Sequence, residues 1–354
     1  MKFRNLFLAM FVLLSAALSF TACSDNDNDG VEVADGIYVL NNGKEGSNNS
    51  TITYYNPETK KANIEDVYKA MNGKQLGDCG QDIIVYKDRI YMTVYKSNRI
   101  SVMTEDFTET ASISLTRDGQ PQSPRYMAEY DGKIYVTLFD GYVGQLNTKT
   151  NVIEKQVKVG RNPEQLVVSN GKLFVANSGG MDFPNYDKTV SVIDLKSFAA
   201  VDTAIEVIIN PTRMAVDDKG TVYCISMGDY TMTTPNTLQK IDPKTYEVTT
   251  IGNATRMACS GKMLYWFYAQ WGAPAIEFKK YDTDQQKIVS DKFVANWDSP
   301  IDPYSISYIK EYDYVCIGVS DYTNNGDIYI YNTEGVFVNK FETGLNPEKA
   351  IYVD

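Results

Sequence analysis

The chain of 354 residues contains no histidine. That absence removes the commonest general base and the commonest metal ligand together, so a Ser-His-Asp triad and a His-liganded zinc or iron site are both excluded. No GxSxG, P-loop or strand-borne GxGxxG is present, and the 45 carboxylates single out no pair for acid–base work. The residues therefore point away from an enzyme. The four cysteines beyond the leader, Cys79, Cys224, Cys259 and Cys316, form no CxxC pair and no close spacing, and are expected as buried thiols. Basic residues are outnumbered 34 to 45, giving a net charge of −11, and loss of Lys2 and Arg4 with the leader makes the remainder more acidic still. Nucleic acid and anionic lipid are unsuited partners for such a charge. Beyond the leader no apolar run is long enough for a transmembrane helix, and no helical period of useful length occurs.

What is present begins with a targeting segment. Residues 1–22 place Lys2 and Arg4 ahead of an apolar run at 6–18, too short to span a bilayer comfortably. The run ends in Phe20, Thr21, Ala22 and Cys23, which resembles a lipobox, although Phe20 departs from the usual aliphatic residue. Cys23 is the expected lipidation site. Residues 23–33 then form an acidic tether whose stretch from Ser24 to Gly30 has no apolar side chain to bury. It resembles the export signal of Bacteroidetes lipoproteins. The Asp25, Asp27, Asp29 spacing fails as a calcium loop because Gly36 stands at the twelfth position, where a bidentate Glu is needed. No metal site is expected.

From residue 34 to 354 the dominant signal is repetition. Seven segments are β-branched and aromatic: GIYVLNN from Gly36, RIYMTVY from Arg89, KIYVTLF from Lys133, KLFVANS from Lys172, TVYCISM from Thr221, MLYWFYA from Met263 and YVCIGVS from Tyr314. Each reads as a buried second strand. Six follow an apolar first strand, as in NPEQLVVSNG from Asn162; the first lacks one, and NPEKAIYVD at 346–354 has that character at the wrong end of the chain. The pattern predicts an all-β, seven-bladed β-propeller closed by the C-terminal strand, four strands per blade at a period of roughly 45 residues.

In such blades the first-to-second and third-to-fourth turns share one end, and the other connections share the opposite end. The first set is short, as at Asn170-Gly171. The second set holds the long loops 41–50, 116–124, 178–188, 228–236, 270–274, 296–302 and 321–326, all on one face. They carry Asn42, Phe183, Tyr186, Tyr230, Trp271, Trp297, Tyr304 and Tyr322 in or beside them, residues suited to adaptable contact. At the start of the innermost strands stand Tyr126, Gln165, Arg213, Arg256 and Lys349, expected around the mouth of the central channel. Salt bridges between neighbouring blades are their alternative role.

The NPxx repeat, KLFVANSGG and TVSVIDL from Lys172 to Leu195 resemble the YncE-like and surface-layer-type propellers across the whole mature chain. With the leader, tether and overlong aromatic loops, the pattern resembles the BtuG family of Bacteroides surface lipoproteins. That resemblance implies capture of cobalamin (vitamin B12) at the outer membrane and handover to a TonB-dependent transporter of the BtuB type. Cobalamin would be a transported ligand, with no resident cofactor. Without histidine, no imidazole can replace its lower axial base, so the corrin must be held by its periphery. A surface propeller for a glycan, peptide or partner protein is the alternative, and a propeller lactonase or lyase is a third.

Overall fold

Runs such as Ile37-Tyr38-Val39-Leu40 and Leu173-Phe174-Val175-Ala176 are apolar at every position because both faces of the strand are covered. In the computed structural model, which describes residues 33–201 and 203–354, these runs are the second strands of seven blade sheets, six of them four-stranded and one, blade 4, five-stranded because its outer strand is split in two. The segments named above, from Gly36–Asn41 through Tyr314–Val319, all occupy that place. Residues 1–32, which hold the expected leader, Cys23 and most of the tether, lie outside the described residues.

The innermost strands meet in ring order: Gly80–Tyr86, Pro124–Tyr130, Pro163–Ser169, Pro211–Val216, Arg256–Cys259, Pro303–Ile309 and Pro347–Val353. The last of these pairs antiparallel with Gly36–Asn41, from Gly36 opposite Val353 to Asn41 opposite Pro347. The C-terminus thus supplies the inner strand of blade 1, as the repeat predicts. Ile37, Val39 and Tyr55 of that blade share a core with Ile309, Cys316, Ile328 and Phe341 of blade 7. Closure leaves no open sheet edge at the join.

The repeated Asn-Pro has a backbone reason. Asn162, Asn210 and Asn346 adopt left-handed φ of 46°, 62° and 58°, and Cys79 and Ser123 do the same at the equivalent place. Asn tolerates this region better than most residues. Directly after it, the first-to-second strand ladder slips by a bulge in blades 1, 2, 3, 4, 5 and 7. A bulge re-aims side chains at the rim of a sheet. The short turns at the opposite end include Asp131-Gly132 and Asn170-Gly171, both residues of each pair at positive φ, as a type I′ hairpin requires.

Two small elements depart from the expected loops. Residues 116–124 contain a hairpin, Thr116–Arg117 with Gln120–Pro121. A six-residue helix, Val67–Asn72, is capped by Asp66 at its start and left-handed Gly73 at its end. The four cysteines are free, and burial pushes the Cys316 thiol up to about 12.

Candidate ligand-binding face

The bulges turn a set of polar side chains into the central channel. Arg125 of blade 3 donates to Glu164 of blade 4 at 2.7 Å and to Gln81 of blade 2 at 2.6 Å. Gln81 donates to the Tyr126 hydroxyl at 2.8 Å, and that hydroxyl reaches Glu348 of blade 1 at 3.3 Å. Arg213 of blade 5 donates to Glu348 at 3.0 Å and also to the Tyr126 hydroxyl. Lys349 donates to Asp82 at 2.7 Å, and Gln165 accepts from the Met214 amide at 2.8 Å. Burial alone would raise the Glu348 carboxyl, but the charges of Arg213 and Arg256 hold it below the usual carboxylate range. Burial pushes the Tyr126 phenol up, so it stays a neutral hydrogen-bonding hub. The network encloses a cavity of about 320 Å³ lined by Tyr126, Gln165, Arg213, Arg256, Glu348 and Lys349, among others.

Above one side of the channel lies a wider basin of about 570 Å³, lined by Tyr230, Trp271, Tyr304, Tyr322, Arg256 and Gln270 among others. Three of its four rings are left uncovered, Trp271 at 93% exposed, Tyr322 at 66% and Tyr230 at 54%, while Tyr304 is half-buried. Phe183, 72% exposed, extends this surface through edge contacts, Phe183 to Tyr186 at 5.9 Å and Tyr186 to Tyr230 at 5.8 Å. Tyr304 and Tyr322 meet edge to face at 5.7 Å.

The polar residues of these loops are spent on shape. Gln270 accepts from the Asn236 amide at 2.7 Å and donates to the Thr231 carbonyl at 2.8 Å, tying the loops of blades 5 and 6 together. Arg161 pairs with Asp182 at 2.6 Å and donates to the Asn185 carbonyl, bracing the loop that bears Phe183. The tripeptide Asp-Tyr-Thr occurs twice, at 229–231 and 321–323, in corresponding loops of blades 5 and 7. Each Asp accepts from the Thr amide two residues on, at 3.0 and 2.8 Å, and each Tyr between them sits at φ 62°. Left-handed backbone costs a tyrosine about 1 kcal/mol, and here it turns two phenols into the same basin.

Of the residues expected from sequence, the structure brings Tyr230, Arg256, Trp271, Tyr304 and Tyr322 together in the basin, with Phe183 and Tyr186 beside it. Tyr126, Gln165, Arg213, Arg256 and Lys349 line the channel, as their shared repeat position suggests. The salt bridges only partly join neighbours. Lys349–Asp82 does, whereas Arg213–Glu348 crosses the channel from blade 5 to blade 1. Asn42 lies in a cavity with Tyr304, Tyr322 and Glu348, its amide donating to the Gly80 carbonyl at 3.0 Å. Trp297 is apart from all of these. Its ring packs on Phe278 at 4.9 Å and Tyr329 at 5.1 Å, covering the core shared by blades 6 and 7 and lining a separate groove with Lys279 and Lys292. The residues that sequence reasoning misses are Gln81, Asp82, Arg125, Glu164 and Glu348. A partial signal existed, since Asn-Pro-Glu opens inner strands at 162–164 and 346–348, where both glutamates serve as counter-charges, although the same tripeptide at 56–58 leads into an outer turn.

Three solved structures illustrate how widely this architecture is shared. The Kuenenia stuttgartiensis hydrazine synthase is similar at 16% identity over 73% of this chain and 85% of that one, with a TM-score of 0.57. The dihydro-heme d1 dehydrogenase NirN in complex with DHE is similar at 15% identity over 89% and 68%, TM-score 0.56. The Neurospora crassa Pan2 WD40 domain matches at 9% identity over 76% and 80%, TM-score 0.51. At such identities the likeness shows the propeller fold alone. No curated protein matches the chain in sequence. One family's sequence profile does match, over residues 35–345, and the chain belongs to that family, described as "Domain of unknown function (DUF5074)".

Proposed function

We propose that this propeller is a binding protein whose long-loop face captures cobalamin at the outer surface of the outer membrane, for handover to a TonB-dependent transporter of the BtuB type. The observation that carries the reading is the basin of uncovered rings. Exposed apolar surface gathered in one place and fixed by hydrogen-bonded loops is a cost to the free protein that a ligand would offset. Trp271, Tyr230, Tyr304 and Tyr322 offer ring faces and phenol tips to a broad ligand fringed with amides, and hydrogen bonds tie their loops. The histidine-free sequence fits a corrin gripped by its edge, with cobalt keeping its own axial ligands.

Anchoring rests on the sequence. A lipid on Cys23 and the acidic tether would hold the propeller near a transporter mouth at a high local concentration, which favours transfer. In this reading the protein performs no chemistry on its cargo.

Tryptophan emission tests the site. Of the three tryptophans, Trp271 lines the basin while Trp266 is buried and Trp297 is packed in an outer groove, so Trp271 is the one a ligand in the basin touches, although energy transfer to the corrin reaches all three. Saturable quenching whose apparent affinity falls in Trp271→Phe supports the basin as the site. Quenching that is unchanged in that variant places any binding elsewhere.

A further inference from the structure

The charges around the channel pair off and leave one over. Arg125 is matched by Glu164, Lys349 by Asp82 and Arg213 by Glu348. Among the described residues, no carboxylate forms an ion pair with Arg256. A guanidinium has five donors, and the hydrogen bond this one makes runs to the Thr255 carbonyl at 3.1 Å. Burial, and then the charge of Arg213, hold Arg256 below the ordinary arginine range. Next to it, the Arg213 Nε is buried with no partner, as is the Asn236 Oδ1 on the wall of the basin. A half-buried guanidinium that no carboxylate touches, and that the charge of Glu348 reaches only from a distance, is expensive to keep.

Its position gives it a use. Arg256 lines both the channel cavity and the aromatic basin, so its free donors stand where the two meet. We propose that the Arg256 guanidinium binds an oxyanion, a phosphate or carboxylate group, belonging to the ligand that the basin takes. This rests on reading the basin as a ligand site. The planar fork matches the two oxygens of such a group, and the anion supplies the direct ionic contact that Glu348, in contact with Arg213, does not make with Arg256. A cation would be repelled, and a neutral amide would leave the charge uncompensated. The protein as a whole is acidic, so no general field gathers anions and the attraction is local to this one residue. Cobalamin carries one group of this class, a phosphodiester.

Titration of the full-length protein with inorganic phosphate and, separately, with acetate at low ionic strength tests the site, read by calorimetry and by phosphorus line broadening. Wild type should bind at least one of the two saturably, and whichever binds names the group. Arg256→Gln should weaken that binding at least about tenfold, the loss of a charge-assisted contact, while Arg256→Lys keeps part of it. Thermal melts establish that each variant is folded, and Arg256→Lys carries the comparison where Arg256→Gln is not. Absence of saturable binding of both anions, or equal binding by wild type and both variants, overturns the proposal. Desalting the same wild-type protein after mixing with cobalamin separates the two readings. Anion binding without retained cobalamin leaves the oxyanion site standing and removes the cobalamin assignment. Retained cobalamin without anion binding does the reverse.

Discussion

Replacing Glu348 by Ala should destabilise the propeller more than any other single change in the channel. Its carboxylate, 7% exposed, is the counter-charge of Arg213, itself only 13% exposed, and it also accepts from the Tyr126 hydroxyl. The truncation leaves a buried guanidinium whose Nε already lacks a partner, next to a second cation at Arg256. Breaking a buried pair from one side costs about 3–5 kcal/mol, a large share of the roughly 5–15 kcal/mol that holds a typical domain together. With an unfolding entropy of about 2.1 cal/mol/K per residue, the expected fall in Tm is on the order of 6 °C. Differential scanning calorimetry at neutral pH reads it directly. Glu348→Gln keeps an acceptor and should lose less, and adding Arg213→Ala to Glu348→Ala should recover part of the loss, because the orphaned charge is gone. A Glu348→Ala protein that melts with wild type would mean that the cross-channel pair contributes nothing to stability.

Deleting residues 346–354 removes the six-position ladder that closes blade 1, together with Glu348 and Lys349, and should abolish cooperative folding; an unchanged calorimetric transition would contradict ring closure. Glu109 is held down to about 2 by hydrogen bonds from Lys74, Ser101 and Arg99, which outweigh the upward push of burial. Its folded value lies below its ordinary 4.5, so its contribution, up to about 3 kcal/mol, is complete above that pH and lost as pH falls toward 2; Glu109→Gln should flatten the acid limb of a stability–pH curve, and an identical limb would refute this. Cys23→Ala should release the protein from membranes while its melt stays unchanged; a variant that still fractionates with the outer membrane rejects Cys23 as the anchor.

The blades were legible because a strand covered on both faces must be apolar throughout, and seven such runs at one period admit few other folds. Pro347–Val353 could be assigned to blade 1 because it carries the sequence of an inner strand with no strand left to follow it. The channel was half legible. Counting alternate residues back from Leu166 fails at Glu164 and Gln165, because the bulge after Pro163 interrupts the period of two at the residues that face the axis. Arg213 and Arg256 were visible as a shared repeat position, but their different fates were not, since only the fold brings Glu348 across to one of them. Trp297 and Trp271 look alike in sequence, each in a long loop of one face. The first turns onto Phe278 and Tyr329 and the second points into solvent, a difference set by packing beyond either loop. The paired Asp-Tyr-Thr tripeptides were available to sequence reasoning, and their meaning lay in the left-handed tyrosines they impose.

Cobalamin capture is read directly from the visible absorbance of wild-type protein mixed with cobalamin at micromolar concentration and passed through a desalting column. The corrin bands should elute with the protein. Trp271→Ala, which removes a ring that is 93% exposed and supports no core, should keep the wild-type Tm but bind more weakly by about 1–4 kcal/mol. Tyr130→Ala, at a turn on the opposite end of blade 3, should leave binding unchanged. Protein that emerges colourless would contradict the cobalamin assignment, and a Trp271→Ala variant that binds as wild type does would remove the basin as the site.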